Sequence, residues 1–160
     1  MYKQVTEKDW AEIVHPISIC SIDQPIEEFA EKHNLNTFSY QEDGLGQLTA
    51  LVFKVENILY WAKGPSGNGK DYFTLFEVRS FEKNTLKAFN QLCEEFKFNR
   101  NDFEWISENL GVAEWLLTRL DDNGNETPMF FFHDEQSANM AKNEYEKRGH
   151  KQSYFVTKIY

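Results

Sequence analysis

Two apolar runs separated by Asp122-Asn123-Gly124-Asn125 constrain the fold of this chain more than any other feature. Asn-Gly supplies the positive φ of a tight type I′ hairpin turn, which most residues adopt only with strain. Trp115 to Leu120 and Met129 to Phe132 therefore read as paired antiparallel strands. Asp134 caps a helix to Arg148, with Ala138, Ala141 and Tyr145 on one face and Gly149 just beyond its end. Ser153 to Ile159 follows as a last strand, with Tyr154, Val156 and Lys158 alternating against Phe155, Thr157 and Ile159. In this β-β-α-β order the hairpin turn and the start of the last strand lie at the same end. That end gathers Asp121, Asp122, Asn123, His150, Lys151 and Gln152. It reads as a polar cluster in which Asp122 pairs with Lys151, and also as a candidate partner surface.

The preceding residues carry both periodicities. Thr6 to Val14 reads as a short helix with Thr6 as N-cap and Trp10, Ile13 and Val14 on one face, ended by Pro16. Asp23 to Asn34 reads as a stronger helix, capped by Asp23, with Pro25 in its first turn and Ile26, Phe29 and Ala30 as its stripe. Residues 37–40 are extended, 41–44 a turn, 47–55 and 58–62 strands about a tight Glu56-Asn57 turn, and 72–78 another strand. Residues 82–97 form an amphipathic helix on Leu86, Phe89, Cys93 and Phe96. Phe103, Trp105 and Ile106 suggest a closing strand. The expected fold is α+β: a mixed α/β layer with an antiparallel sheet over 1–109, and the β-β-α-β unit over 110–160.

Charge narrows the classes of partner. Seventeen Lys and Arg stand against 26 Asp and Glu, a net charge of −9. Such a chain repels phosphate backbones and anionic membrane surfaces, so neither nucleic acid nor membrane is an expected partner. A basic protein partner is favoured, because opposite fields speed association. Met1 to Trp10 holds no apolar core of a secretory signal, so a cytoplasmic location is expected. Cys20 and Cys93 form no CxxC, and the four His have no HxxxH or HExxH spacing. Neither a metal nor a cofactor is expected.

One motif invites a different reading. Gly64-Pro65-Ser66-Gly67-Asn68-Gly69-Lys70 matches the GxxxxGK of a phosphate-binding loop. Such a loop runs from a strand into a helix, whose N-terminal N–H groups face the phosphate, and the residue after Lys offers a hydroxyl to Mg²⁺. Here that residue is Asp71, and residues 72–78 have strand composition. The loop reads as a Gly-rich hairpin connection, which leaves a nucleotide-binding enzyme as the third-ranked function. No GxSxG or Cys–His pattern adds a nucleophile.

The C-terminal residues also carry a resemblance. Leu117-x-Arg119-x-Asp121-Asp122-Asn123-Gly124-Asn125, then Ala138, then Arg148-Gly149-His150-Lys151-Gln152-x-Tyr154-Phe155-Val156 resembles short bacterial SPOR-like proteins with a DDNGN turn and a GHKQ-Y-W-V strand. Phe155 stands where that family often has Trp, and the resemblance implies no catalytic residues. It implies at most a small module that recognises a glycan or peptide through its C-terminal sheet. Peptidoglycan binding, the property of SPOR domains proper, is not carried over. Residues 42–46 (Glu-Asp-Gly-Leu-Gly), the strands and Gly-rich loop after them, a helix and Asp102-x-x-Trp105 are similar to bacterial toxin-immunity modules. That likeness adds Glu42 and Asp43 to the candidate partner residues. The leading expectation is a non-enzymatic cytosolic immunity protein that blocks a cognate toxin by steric and electrostatic occlusion.

Overall fold

The computed structural model describes residues 1–6, 8, 16–67, 72–79 and 82–159. The helix expected from Thr6 to Val14 lies largely outside the described residues. The fold is α+β, and the chain divides into two compact units. The first holds Met1–Arg79 and Lys87–Glu108; the second holds Ser80–Leu86 and Asn109–Tyr160.

The first unit is built on a seven-stranded antiparallel sheet. Its strands are β1 (Tyr2–Gln4), β2 (Ile17–Ile22), β3 (Phe38–Glu42), β4 (Gly46–Val55), β5 (Ile58–Pro65), β6 (Thr74–Val78) and β7 (Phe103–Ile106). They run in the order β1-β4-β5-β6-β2-β7. β3 shares the β1 side of β4: β1 takes Phe53 to Val55, and β3 takes Gly46 to Ala50. Leu48 to Phe53 are all buried, so β4 is covered on both faces and reads as a continuous apolar run rather than an alternating one.

One sheet face carries Phe53, Tyr60 and Phe76, and helices α1 (Ile26–Lys32) and α2 (Thr85–Phe96) pack on it. The Phe96 ring lies 5.0 Å from Tyr2, 5.0 Å from Phe29, 4.7 Å from His33, 5.3 Å from Phe53 and 5.8 Å from Phe98. The Tyr60 hydroxyl, fully buried, donates to the Ala88 carbonyl at 2.8 Å. That bond satisfies a hydroxyl which the aromatic core would otherwise strand.

Several expectations are corrected here. β2 is an addition: Ile19 to Ile22 are all buried between β6 and β7. Six residues between a proline and a helix gave too short a window for their alternation to stand out. α1 starts at Ile26, not Asp23. Pro25 holds the N-cap position without a side-chain cap, and the Asp23 N–H donates to the Asp102 carbonyl at 3.4 Å. Pro25 pushes the residue before it out of the helical region, so no helix extends back to Asp23.

β3 runs on to Glu42, and the turn moves to residues 43–45. On α2 the buried stripe is Ala88, Leu92 and Phe96, while Leu86 is exposed. Phe89 and Cys93 flank the stripe instead of centring it. α2 ends with the Phe98 N–H reaching back to Cys93 O at 3.0 Å, which puts Lys97 at φ 59 where glycine is usual. α1 ends the same way through Asn34 at φ 53, with Leu35 N–H on Ala30 O at 2.8 Å.

The second unit has the expected β-β-α-β order: β8 (Trp115–Leu120), β9 (Glu126–Phe132), α3 (Glu135–Lys147) and β10 (Ser153–Lys158). β8 is the central strand of the sheet order β10-β8-β9. Asp134 caps α3, its carboxylate accepting from Ser137 N at 2.7 Å and Ser137 Oγ at 2.8 Å. Gly149 at φ 71 closes the helix, its N–H on Glu146 O at 3.2 Å. Tyr145 packs on Phe130 and Tyr154, at 5.9 and 5.4 Å, so α3 covers that face of the sheet. Pro128 falls beside the register shift between Leu117 and Thr118, on a strand with an unpaired outer side, where a missing N–H is tolerated.

The hairpin turn is wider than the expected two-residue form. Five residues join β8 to β9, and of them only Gly124, at φ 80, has positive φ. The Asp121 carboxylate organises the loop instead, accepting from the N–H groups of Asn123 and Asn125, both at 2.9 Å, and from Asn125 Nδ2 at 2.9 Å. A side chain that satisfies two backbone donors competes successfully with the tight turn.

Replacing Phe96 by Ala empties the point where five rings meet. The expected loss is about 3–5 kcal/mol, the range for deleting a buried aromatic side chain. Urea unfolding followed by Trp61 and Trp105 fluorescence measures it; a loss below about 1 kcal/mol would contradict this packing.

Candidate partner-binding edge

β7 is the outermost strand on its side of the first unit's sheet. Phe103 anchors it inward, its ring 5.2 Å from Phe89 and 5.6 Å from Phe98. On the partner strand Ser21 faces Trp105 and Ile22 faces Phe103. Two consecutive β2 residues thus oppose residues two apart on β7, and Glu104 is the extra residue of a bulge. The bulge exposes Glu104 and Trp105 in succession. Trp105 is 42% exposed, and its side chain makes no ring contact or hydrogen bond among the described residues. Ser107 N–H closes the strand on Ile19 O at 2.9 Å.

Acids surround this tryptophan in sequence. From Asn99 to Glu108 one Arg stands against Asp102, Glu104 and Glu108, and Asp23 lies at the adjoining end of β2. Asp102 is held by its turn: Oδ2 accepts from Asn99 N at 2.7 Å, while Asn99 Oδ1 accepts from Asn101 N at 3.0 Å. This reciprocal capping fixes a short 3-10 turn over Arg100–Asp102 ahead of β7. On the helix-covered side, a groove of about 420 Å³ is lined by Asp23, Glu28, Asp102, Lys32, Lys97 and the rings of Phe96 and Phe98. The region thus offers one exposed aromatic ring, one carboxylate fixed by its turn, and further acids close in sequence.

Asp121, Asp122, Asn123, His150, Lys151 and Gln152 do come to one end of the second unit's sheet. Ser153 pairs with Leu120, and Leu120 with Glu126, so the turn and the start of β10 are neighbours. Their roles differ from the expected ones. Asp121 is a turn residue, and its hydrogen bonds, those with Asn125 foremost, hold its carboxyl below the usual range. Asp122 and Lys151 form no ion pair among the described residues: both are exposed, and the loop that Asp121 ties down does not bring them within reach.

Glu42 and Asp43 also separate in role. Asp43 lies exposed in the β3–β4 turn. Glu42 belongs to β3, where its carboxylate sits 3.8 Å from Lys63 Nζ and accepts from the Tyr40 hydroxyl at 3.4 Å. Lys63 also faces Glu77 at 3.3 Å, and Glu77, only 5% exposed, accepts from Ser18 Oγ at 3.0 Å. Burial, with the carboxylates of Glu42 and Glu77 nearby, pushes the Tyr40 phenol above its ordinary value. Trp61 packs on Tyr40 and Phe38, at 5.6 and 5.4 Å. This network crosses β2, β6, β5 and β3 and keeps Glu42 engaged within the chain.

The GxxxxGK segment connects strand to strand. Gly64 and Pro65 end β5, Asn68 to Lys70 lie outside the described residues, and the chain continues from Tyr72 into β6, which pairs with β5. The Gly67 N–H donates to Glu27 Oε1 at 2.9 Å, and the same oxygen accepts from Thr49 Oγ1 at 2.9 Å. A carboxylate of the chain itself thus occupies a backbone donor that a phosphate loop would present to its ligand. Both cysteines are free. Burial pushes the Cys20 thiol up, and Cys93 up to about 11, so both are protonated near neutrality and are poor nucleophiles. Among the described residues no three His, Cys, Asp or Glu side chains converge as a metal site.

Compared with known proteins, the chain matches no family model, no curated protein and no solved structure.

Two measurements test this geometry. Asp121 and Asp134 carboxyls are both held down by hydrogen bonds, Asp134 chiefly by the Ser137 N–H. The unfolded chain therefore binds their protons more readily. Their stabilisation is complete above the unfolded value of about 3.9 and is lost as pH falls through the lower folded values. Thermal unfolding from pH 6 to 2.5 should show Tm falling with acid, and less steeply in an Asp121→Asn, Asp134→Asn variant; parallel curves would contradict this. Separately, Glu77→Ala leaves Lys63 largely buried beside Glu42 alone and should cost about 3 kcal/mol, the lower end for a broken buried pair. Glu42→Gln, at a more exposed pair, should cost less than about 1 kcal/mol. Equal losses in urea titrations would refute the ranking.

Proposed function

We propose that this chain is a non-enzymatic cytoplasmic binding protein that engages a basic protein partner through the acidic β7 edge, in the manner of an immunity protein that occludes a cognate toxin. The observation that carries the reading is Trp105: a large ring, exposed and unstacked, on an outer strand of the sheet in an acidic stretch of sequence. Short charged edges also serve to discourage strand-to-strand aggregation, and Glu104 alone would suit that role. An exposed Trp does not, because it adds a sticky apolar surface to the edge. Trp is instead among the residues most enriched at the energetic centres of interfaces.

The mechanism follows from charge. The net charge of −9 steers a basic partner toward the chain and rejects acidic ones. The carboxylates then take the place of the anionic substrate that the partner's basic site would bind. Trp105 supplies the short-range burial that charge alone does not. Orientation comes from rigid supports, since Phe103 pins β7 inward and the Asn99–Asp102 capping pair fixes the turn before it.

Tagged protein captured from native cells across a salt series, beside Trp105→Ala and Glu104→Lys variants, tests the reading. The wild type should retain a stoichiometric basic protein that salt releases. Trp105→Ala should weaken retention about 30-fold, the equivalent of ~2 kcal/mol for an interface anchor. Glu104→Lys should chiefly slow association and reduce the salt dependence. A basic partner held equally by all three proteins would remove β7 from the interface, and the absence of any basic partner would remove the function.

A further inference from the structure

The second unit carries a feature that runs against the acidity of the chain. The side chain of Arg119, on β8, makes no hydrogen bond and no ion pair with any described residue. Its Nε is buried without a partner. The two Nη atoms are not so enclosed, so the forked end of the guanidinium reaches solvent. Asp121 feels the Arg119 charge. It lies outside ion-pair distance, and its oxygens are taken by the N–H groups of Asn123 and Asn125. Arg119 thus has no direct ion-pair partner among the described residues.

Its surroundings are ordered. Tyr154 is the direct cross-strand neighbour of Arg119 on β10, and Thr127 on β9. Such partners share a face with Cβ atoms roughly 4.5–5.5 Å apart. The Tyr154 hydroxyl donates to Gln152 Oε1 at 3.3 Å. Tyr145 packs on Tyr154, and the Arg148 guanidinium lies 4.4 Å from the centre of the Tyr145 ring. Tyr145 thus lies between Arg148 and Tyr154, and Tyr154 is the strand neighbour of Arg119. Arg148 and Lys151, like Arg119, form no ion pair among the described residues.

We propose that this end of the β-β-α-β unit binds a carboxylate, held by the two Nη groups of Arg119 with Tyr154 and Gln152 as neutral hydrogen-bonding neighbours. The guanidinium fork matches the two oxygens of a carboxylate in one plane. A phosphate dianion suits the corner less, because Asp121 and Asp122 stand beside it and like charge opposes a second negative charge. The ligand class is a molecule with one free carboxylate, such as a peptide C-terminus or an acidic sugar. This site is independent of the β7 edge and takes the opposite charge.

The test uses the full chain, labelled with ¹⁵N and observed at the backbone amide and arginine Nε–H resonances, with the Tyr154 amide as the readout in the Arg119 variants. N-acetylglycine is the probe, N-acetylglycinamide its neutral control, and sodium phosphate the dianion, all at matched ionic strength. The expected result is a saturable shift at Arg119 and Tyr154 with N-acetylglycine, no shift with the amide, and a weaker response to phosphate. Arg119→Gln should abolish the response, and Arg119→Lys should weaken it about tenfold by losing the fork while keeping the charge. Equal shifts with the amide, tighter binding of phosphate than of N-acetylglycine, or a response that survives Arg119→Gln would overturn the proposal. The amide comparison on the wild-type chain decides the matter even if a variant fails to fold.

Discussion

The first unit depends on the meeting of aromatic rings around Phe96. That side chain comes from α2, yet it touches rings from β1, α1 and β4 and from the segment leading to β7. Elements distant in sequence are thereby held to one face of one sheet. Dispersion between rings and removal of apolar area from water act together here, and neither has a strong directional demand. The directional terms are few, chiefly the Tyr60–Ala88 hydrogen bond and the two left-handed helix ends at Asn34 and Lys97.

The exposed edge is a consequence of that core. Phe98 joins the ring cluster, and Phe103 packs on Phe98 and Phe89. β7 is therefore fastened by its first residue. The bulge at Glu104 then turns the next two side chains outward. Core packing at one position thus fixes an exposed edge two residues away. The opposite sheet face shows a different solution, in which charge is buried but paired: Glu77 is accepted only because Lys63 and Ser18 reach it.

Charge is divided between the units in an instructive way. In the first unit Glu104 and Glu108 are exposed and flank an unstacked tryptophan in sequence, while Glu77 is buried against Lys63. In the second unit the Asp121 carboxylate accepts from the N–H groups of its turn, and Arg119 forms no ion pair among the described residues. A net charge of −9 thus coexists with a local cationic corner. Sequence totals describe the long-range field, whereas recognition depends on which charges are already engaged.

The second unit was legible in the sequence because its signals are local. A polar turn between apolar runs, an Asp cap and a terminal glycine act over four or five residues, and each appears where expected. The α+β class and most strands were legible for the same reason. β2 was not, since a six-residue strand gains its identity from β6 and β7, partners more than fifty residues away. Nor were the working states of the candidate residues: whether Glu42 is tied to Lys63, whether Asp122 meets Lys151, or whether Trp105 is covered. Residue type and spacing determined what the chain could form locally. Only the tertiary structure decided which polar groups satisfy one another, because hydrogen bonds and ion pairs depend on distances of a few ångströms between segments that the sequence leaves far apart.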